Sequence, residues 1–176
     1  MDAAIIFSDI LVVPYALGQK LDFVHGEGPK LDPIRTVDGI AKLTDTKFDE
    51  MLEPVYEALS RTRNALSEEG FDQTALIGFA GAPWTVATYM IEGGGSKDFR
   101  HVKEMAYGNP ESFSRLMDLL VEHTARYLIR QVEAGAEALQ IFDSWAGALD
   151  AHGFQYQVIE PTKKIVERVK AVYPDI

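Results

Sequence analysis

Three short apolar runs, Ala3–Phe7, Ala75–Phe79 and Ala138–Phe142, are held apart by much longer stretches of helical periodicity. Each run is bounded by small or polar residues and reads as a parallel strand buried beneath helices. Parallel neighbours need long crossovers, so strand–helix–strand alternation means a parallel sheet. Three or four strands are too few to close a barrel. No linker composition, repeat or low-complexity stretch divides the 176 residues. The expectation is a single unit made of one part of an α/β fold. Both ends look cut: MDAAIIFSD enters a strand almost at once, and YPDI stops after a helix where another strand could start.

The crossovers carry recognisable helix signals. Phe48, Met51, Leu52, Val55, Tyr56, Leu59 and Leu66 follow three-four spacing, with Pro54 expected to kink or restart that helix. Asn109-Pro110 supplies an N-cap and first-turn proline, and Gly135 a stop, for a helix with inner face Phe113, Leu116, Met117, Leu120, Thr124, Tyr127 and Leu128. A last helix is expected over 154–172, interrupted by Pro161. Leu21–Leu31 reads as a small hairpin turning at Gly26-Glu27-Gly28-Pro29.

Charge narrows the partners. Seventeen basic residues against 27 acidic ones give a net charge of −10, the wrong sign for nucleic-acid or anionic-membrane binding. The absence of cysteine excludes disulfides and thiolate metal sites and suits a cytoplasmic protein. No apolar run approaches the ~20 residues of a membrane span, and no signal peptide is visible.

Chemistry-bearing residues gather where the strands end. In IGFAGAPWTVATYMIEG (77–93) a strand breaks at Ala80-Gly81-Ala82-Pro83 and turns into a helix carrying Trp84, Tyr89 and Met90. Small residues at the carboxyl end of a strand let backbone N–H groups approach a ligand, and in α/β folds ligands sit at that end. Asp9 follows the first strand, where its carboxylate could collect N–H donors or cap the helix expected over 10–17; Ser8 could cap that helix equally. Asp143 and Ser144 follow the third strand and read as ligand-facing or as an N-cap. No G-x-S-x-G elbow surrounds Ser144, so it is not read as a nucleophile. Tyr89 could reach a ligand carboxylate or pack in the core. Gly93-Gly94-Gly95-Ser96-Lys97 lacks the Walker A spacing and reads as a flexible loop near the site mouth. His25, His101, His123 and His152 show no metal-binding spacing; each is read as surface or core, with His152 slightly favoured for lying after Ser144.

Three segments together, AAIIFSDILVVPYALG (3–18), the 77–93 stretch and LQIFDSWAG (139–147), resemble the uroporphyrinogen decarboxylase family in its order and spacing. The resemblance runs essentially end to end. It implies a (β/α)8 barrel of which this chain forms about strand units two to four. It also implies a homodimer that removes the four acetate carboxyls of uroporphyrinogen III to give coproporphyrinogen III in haem biosynthesis, with no metal or organic cofactor. By that resemblance Asp9 is the central carboxylate that accepts the pyrrole N–H groups, Tyr89 and Ser144 are hydroxyl contacts to substrate carboxylates, and Phe79 lines the pocket. The family's P-x-W-x-M-R-Q-A-G-R segment, its later strands and a substrate-contacting histidine have no counterpart in these residues. Little decarboxylase activity is therefore expected of this chain alone. The alternatives are a corrinoid- or thiol-linked methyltransferase of the same superfamily, disfavoured by the lack of cysteine for zinc, and a non-catalytic tetrapyrrole-binding module.

Overall fold

The computed structural model describes residues 2–24, 26 and 28–176. The chain runs through β1 (Ala3–Ile5), α1 (Val12–Ala16), β2 (Leu21–Val24), β3 (Gly28–Leu31), α2 (Val37–Ala41), α3 (Phe48–Glu68), β4 (Ala75–Gly81), α4 (Pro83–Glu92), α5 (Arg100–Gly108), α6 (Pro110–Glu133), β5 (Ala138–Phe142), α7 (Ala151–Phe154) and α8 (Glu160–Val172). β1, β4 and β5 form one parallel sheet in that order, while β2 and β3 pair as a separate antiparallel hairpin. Strands consecutive in the main chain path are thus spatial neighbours, joined through helices, as in a (β/α)8 barrel.

The register reveals a stagger. Ala3 pairs with Ala75 and Ile5 with Ile77, but Ala138 pairs with Ile77 and Phe142 with Gly81. β5 is therefore displaced by one pleat repeat along β4, and such stagger is what barrel closure requires of its strands. β5 has the expected bounds. β1 is shorter than expected, because Ile6 and Phe7 run on without a ladder partner. β4 is longer, because Ala80 and Gly81 find Ile141 and Phe142 opposite them; that pairing could not be seen from the local sequence.

Helices cover one face of the sheet only. Gly78 and Ala80 face α6: a Cβ on Gly78 would lie 2.9 Å from Gln131 Oε1 and 3.0 Å from Ala136 Cβ. The strands were expected to be buried on both faces. β1 and β5 instead alternate exposed and half-buried residues, and Phe7 is 82% exposed. The physical reason is that the opposite face is the interior of a barrel, and these strands build only one side of it.

The core lies between the sheet and α4 and α6. All seven residues expected on the inner face of α6 are buried, and Trp84 is fully buried against Phe113 with ring centroids 6.1 Å apart. Asn109 Oδ1 accepts from Ser112 N at 3.3 Å, and Gly135 adopts the left-handed φ of +111° that ends the helix. Pro54 lies inside an unbroken α3 rather than restarting it. Pro161 does perturb its helix: residues Gln155–Ile159 form a π turn between α7 and α8. A proline offers no N–H to the carbonyl four residues back and its ring crowds that group, a mismatch that the wider π turn absorbs. In the hairpin, Gly28 and Pro29, expected in the turn, belong to β3 and pair with Val24 and Phe23; His25 and Glu27 lie outside the described residues.

The amino end of the sheet is closed by an ion pair. Arg63 on α3 donates to Glu137 Oε2 at 2.6 Å and to Thr74 O at 3.0 Å, and the same Glu137 oxygen accepts from Leu76 N. The groups left for a ligand are at the other end.

Candidate active site at the carboxyl end of the sheet

Asp9 is half-buried just beyond β1, and its Oδ1 accepts from Leu11 N at 2.8 Å. One carboxylate oxygen therefore closes the bend ahead of α1 but does not cap it: the helix expected over 10–17 begins only at Val12, with Leu11 at its N-cap and no side-chain cap bond from Asp9 or Ser8. Ser8 Oγ lies 2.9 Å from Tyr127 Oη on α6. Burial pushes the Tyr127 phenol up to about 12, with the Ser8 contact pulling the other way, so Tyr127 stays protonated at neutral pH and able to donate.

Gly81 is where this segment meets the second strand end. A Cβ there would lie 2.7 Å from Val86 Cγ2, 3.0 Å from Ile10 Cβ and 3.1 Å from Ile10 O. Only a residue without a side chain lets the Asp9–Leu11 bend approach β4 this closely. Ala82 N then donates to Phe142 O at 2.8 Å, tying the end of β4 to the end of β5, and Pro83 opens α4. The far end of α4 is also fixed. Gln19 Nε2 and Ile34 N donate to Met90 O, and Arg35 Nε donates to Ile91 O, at 3.1, 2.8 and 3.0 Å. These bonds satisfy carbonyls that a helix end leaves unpaired. Gly93 and Gly94, expected in an open loop, are buried, and Leu31 N donates to Gly93 O at 3.0 Å.

Tyr89 is half-buried, with its ring 6.0 Å from that of Trp145. Ser144, immediately before Trp145, is exposed, and Asp143 before it is half-buried. The fold thus brings the three strand ends to one side: Ile10 beside Asp9 rests on Gly81, and Trp145 beside Ser144 rests on Tyr89. Beneath them lie three rings. Phe79 is buried between Phe7, stacked at 6.2 Å, and Phe142, edge-on at 5.6 Å.

Sequence reasoning passed over Phe7, Phe142, Thr85, Gln131 and Trp145. The two phenylalanines were readable, since each of the three apolar runs begins with alanine and ends with phenylalanine. Thr85 and Gln131 carried no such signal. Gln131, 1% exposed on α6, accepts from Phe79 N and donates to Phe79 O, both at 2.9 Å. It replaces the ladder partner that β1 stops providing after Ile5.

Burial pushes the Asp143 carboxyl above its ordinary range, with hydrogen bonds from Thr85 pulling the other way. The folded chain therefore holds that proton more tightly than the unfolded chain does. This contribution to stability is fully present below the unfolded value of about 3.9 and is lost as pH rises through the raised folded value. Asp143→Asn keeps the acceptor for Thr85 and removes the titration. The stability of the variant relative to the parent is expected to rise with pH across that window and then level off. Urea midpoints measured from pH 3.5 upward check it (starting about half a unit below that unfolded value), and a difference independent of pH would contradict it.

His123 is buried on Leu119 O, His101 pairs with Glu104, and His152 is exposed with its ring tilted against that of Tyr156. Among the described residues no three His, Asp or Glu side chains converge on a metal position, and no helix is long and apolar enough to cross a membrane. Open clefts lie elsewhere in the helical layer. One of about 460 Å³ is lined by Arg35, His101, Glu104 and Asn109 among others, and one of about 410 Å³ lies between α6 and the π turn. The strand-end site is open because its sheet face is uncovered.

The fold and the position of the site define a (β/α)8-type protein with its ligand face at the carboxyl ends of the strands. A methyltransferase from Methanosarcina mazei shares the fold, with a TM-score of 0.76 at 18% identity, over 96% of this chain and 49% of that one. The uroporphyrinogen decarboxylase (URO-D) family profile matches residues 1–176. Uroporphyrinogen decarboxylases of Gluconobacter oxydans and Mesorhizobium japonicum are 49% and 50% identical over 99% of this chain. The chain belongs to the uroporphyrinogen decarboxylase family. It spans about half the length of these curated relatives, 48% and 50%.

Proposed function

We propose that these residues form the part of a uroporphyrinogen decarboxylase that holds the macrocycle by its centre and by some of its carboxylates. The observation that carries this reading is the convergence of the Asp9, Gly81–Tyr89 and Asp143–Ser144 strand ends above a floor of three phenylalanines, in a chain of this family. Asp9 has one oxygen engaged by Leu11 N, and its other oxygen is the acceptor for converging pyrrole N–H groups. An ionised carboxylate there also stabilises the cation formed when a pyrrole carbon is protonated. The electron pair of the breaking bond to the carboxyl then neutralises the ring, CO2 leaves, and protonation of the remaining methylene gives a methyl group as the ring proton is lost. Tyr89 and Ser144 hold substrate carboxylates through their hydroxyls. No metal or organic cofactor enters this scheme.

The net charge of −10 repels a substrate carrying eight carboxylates, so the 176 residues alone are expected to bind uroporphyrinogen weakly and to release little coproporphyrinogen. Asp9→Asn is expected to weaken anaerobic uroporphyrinogen binding at least tenfold, because hydrogen bonds to charged groups contribute about 1.5–3 kcal/mol. Unchanged affinity would remove Asp9 from its role. A paired-copy assembly in the cytoplasm belongs to the same reading, and sedimentation of the purified chain measures the pairing.

A further inference from the structure

Thr85 is completely buried in the first turn of α4, and its hydroxyl serves two groups on the turn after β5. It donates to Asp143 Oδ1 at 2.5 Å and accepts from Trp145 N at 3.0 Å. Those partners flank Ser144, which is therefore the exposed apex of a turn with both neighbours tied to one buried hydroxyl. Trp145 is held further: its carbonyl accepts from Trp84 Nε1 at 3.0 Å, and its ring lies 6.0 Å from Tyr89 and 5.4 Å from Phe99.

Helix capping does not account for Asp143. A capping carboxylate accepts from backbone N–H groups two or three residues on, whereas Asp143 Oδ1 takes a side-chain hydroxyl 58 residues away in the chain. Its Oδ2 is buried with no partner among the described residues. A buried, half-satisfied carboxyl costs stability and calls for a reason other than folding.

We propose that Asp143 and Thr85 are positioning residues, a strap that fixes the Ser144 hydroxyl relative to Tyr89 so that the two together receive ligand carboxylate. This rests on the reading of Ser144 and Tyr89 as carboxylate contacts. A serine hydroxyl on an untethered turn loses orientational freedom on binding; the strap removes that loss beforehand, so the same hydrogen bond yields more affinity. It also makes the two contacts a single unit, since α4 carries both Tyr89 and the anchor of Ser144.

The test uses the 176-residue chain and two readouts. The first is amide exchange of Trp145, whose N–H ends on Thr85. Thr85→Val and Asp143→Ala are expected to accelerate it at least tenfold, while Thr85→Ser and Asp143→Asn, which keep the donor and the acceptor, restore protection. The second is anaerobic titration with uroporphyrinogen. Thr85→Val is expected to lose about as much affinity as Ser144→Ala, and the double variant no more than Ser144→Ala alone, because position matters only while the hydroxyl is there. Unaltered Trp145 exchange in Asp143→Ala overturns the strap, as do losses that add in the double variant. Asp143→Ala carries the exchange arm should Thr85→Val not fold. A parent chain that binds no uroporphyrinogen sinks the tetrapyrrole reading and the carboxylate role with it, while Trp145 exchange decides the strap separately.

Discussion

Gln131→Leu is expected to destabilise the chain by about 3 kcal/mol or more, the largest loss foreseen for a single polar side chain here. The Gln131 amide bonds both the N–H and the C=O of Phe79 at 2.9 Å. Leucine fills similar space but leaves both backbone groups without a partner, and each buried unsatisfied group costs about 1–3 kcal/mol. Water has no room to substitute, because Gly78, Ala136 and Leu139 crowd the same spot. Gln131→Glu separates the two bonds: a carboxylate accepts from Phe79 N but has no proton for Phe79 O. It should therefore remain destabilised. The urea midpoint at constant m-value measures both. A Gln131→Leu chain within about 0.5 kcal/mol of the parent, the usual range for inconsequential substitutions, would show that the amide does not brace Phe79.

Gly81→Ala is expected to cost about 1–3 kcal/mol through overpacking and to weaken uroporphyrinogen binding as well. The new methyl would stand 2.7 Å from Val86 Cγ2 and 3.1 Å from Ile10 O. Val86 cannot rotate away, because a β-branched residue in a helix has one strongly preferred χ1. Relief must come from the backbone at Ile10, and Asp9 moves with it. Stability and affinity should therefore fall together, unlike Gln131→Leu, whose damage centres on Phe79. Adding Val86→Ala to Gly81→Ala should recover part of the stability, since the two sites share one clash. Strict additivity in the double variant would mean that the Val86 contact is not what excludes a side chain from position 81.

These two positions also mark the limit of legibility. Gly81 was read from the sequence as part of a ligand-site turn, because small residues ending an apolar run mean close approach. What approaches it, Ile10 and Val86, was not readable. Gln131 looked like one polar residue on a long helix. Its importance depends on β1 leaving the ladder after Ile5, and nothing near residue 131 encodes that. Asp143 was noted as polar at a strand end, yet Thr85, its partner, passed as an ordinary helical residue.

The sequence by itself determined the three strands and their parallel sense, the inner face of α6 with its Asn109 cap and Gly135 stop, and the small-residue break at Gly81 that ends β4. All of these follow from interactions within a few residues: periodicity, capping and the backbone freedom of glycine. Only the tertiary structure decided the stagger of β5 on β4, the open sheet face with its exposed Phe7, the Gln131 brace and the Thr85–Asp143 strap. Those depend on register between segments more than fifty residues apart, 52 for Gln131 with Phe79 and 58 for Thr85 with Asp143. A hydrogen bond formed across such a distance is set by the packing of the whole unit, and local sequence carries no record of it.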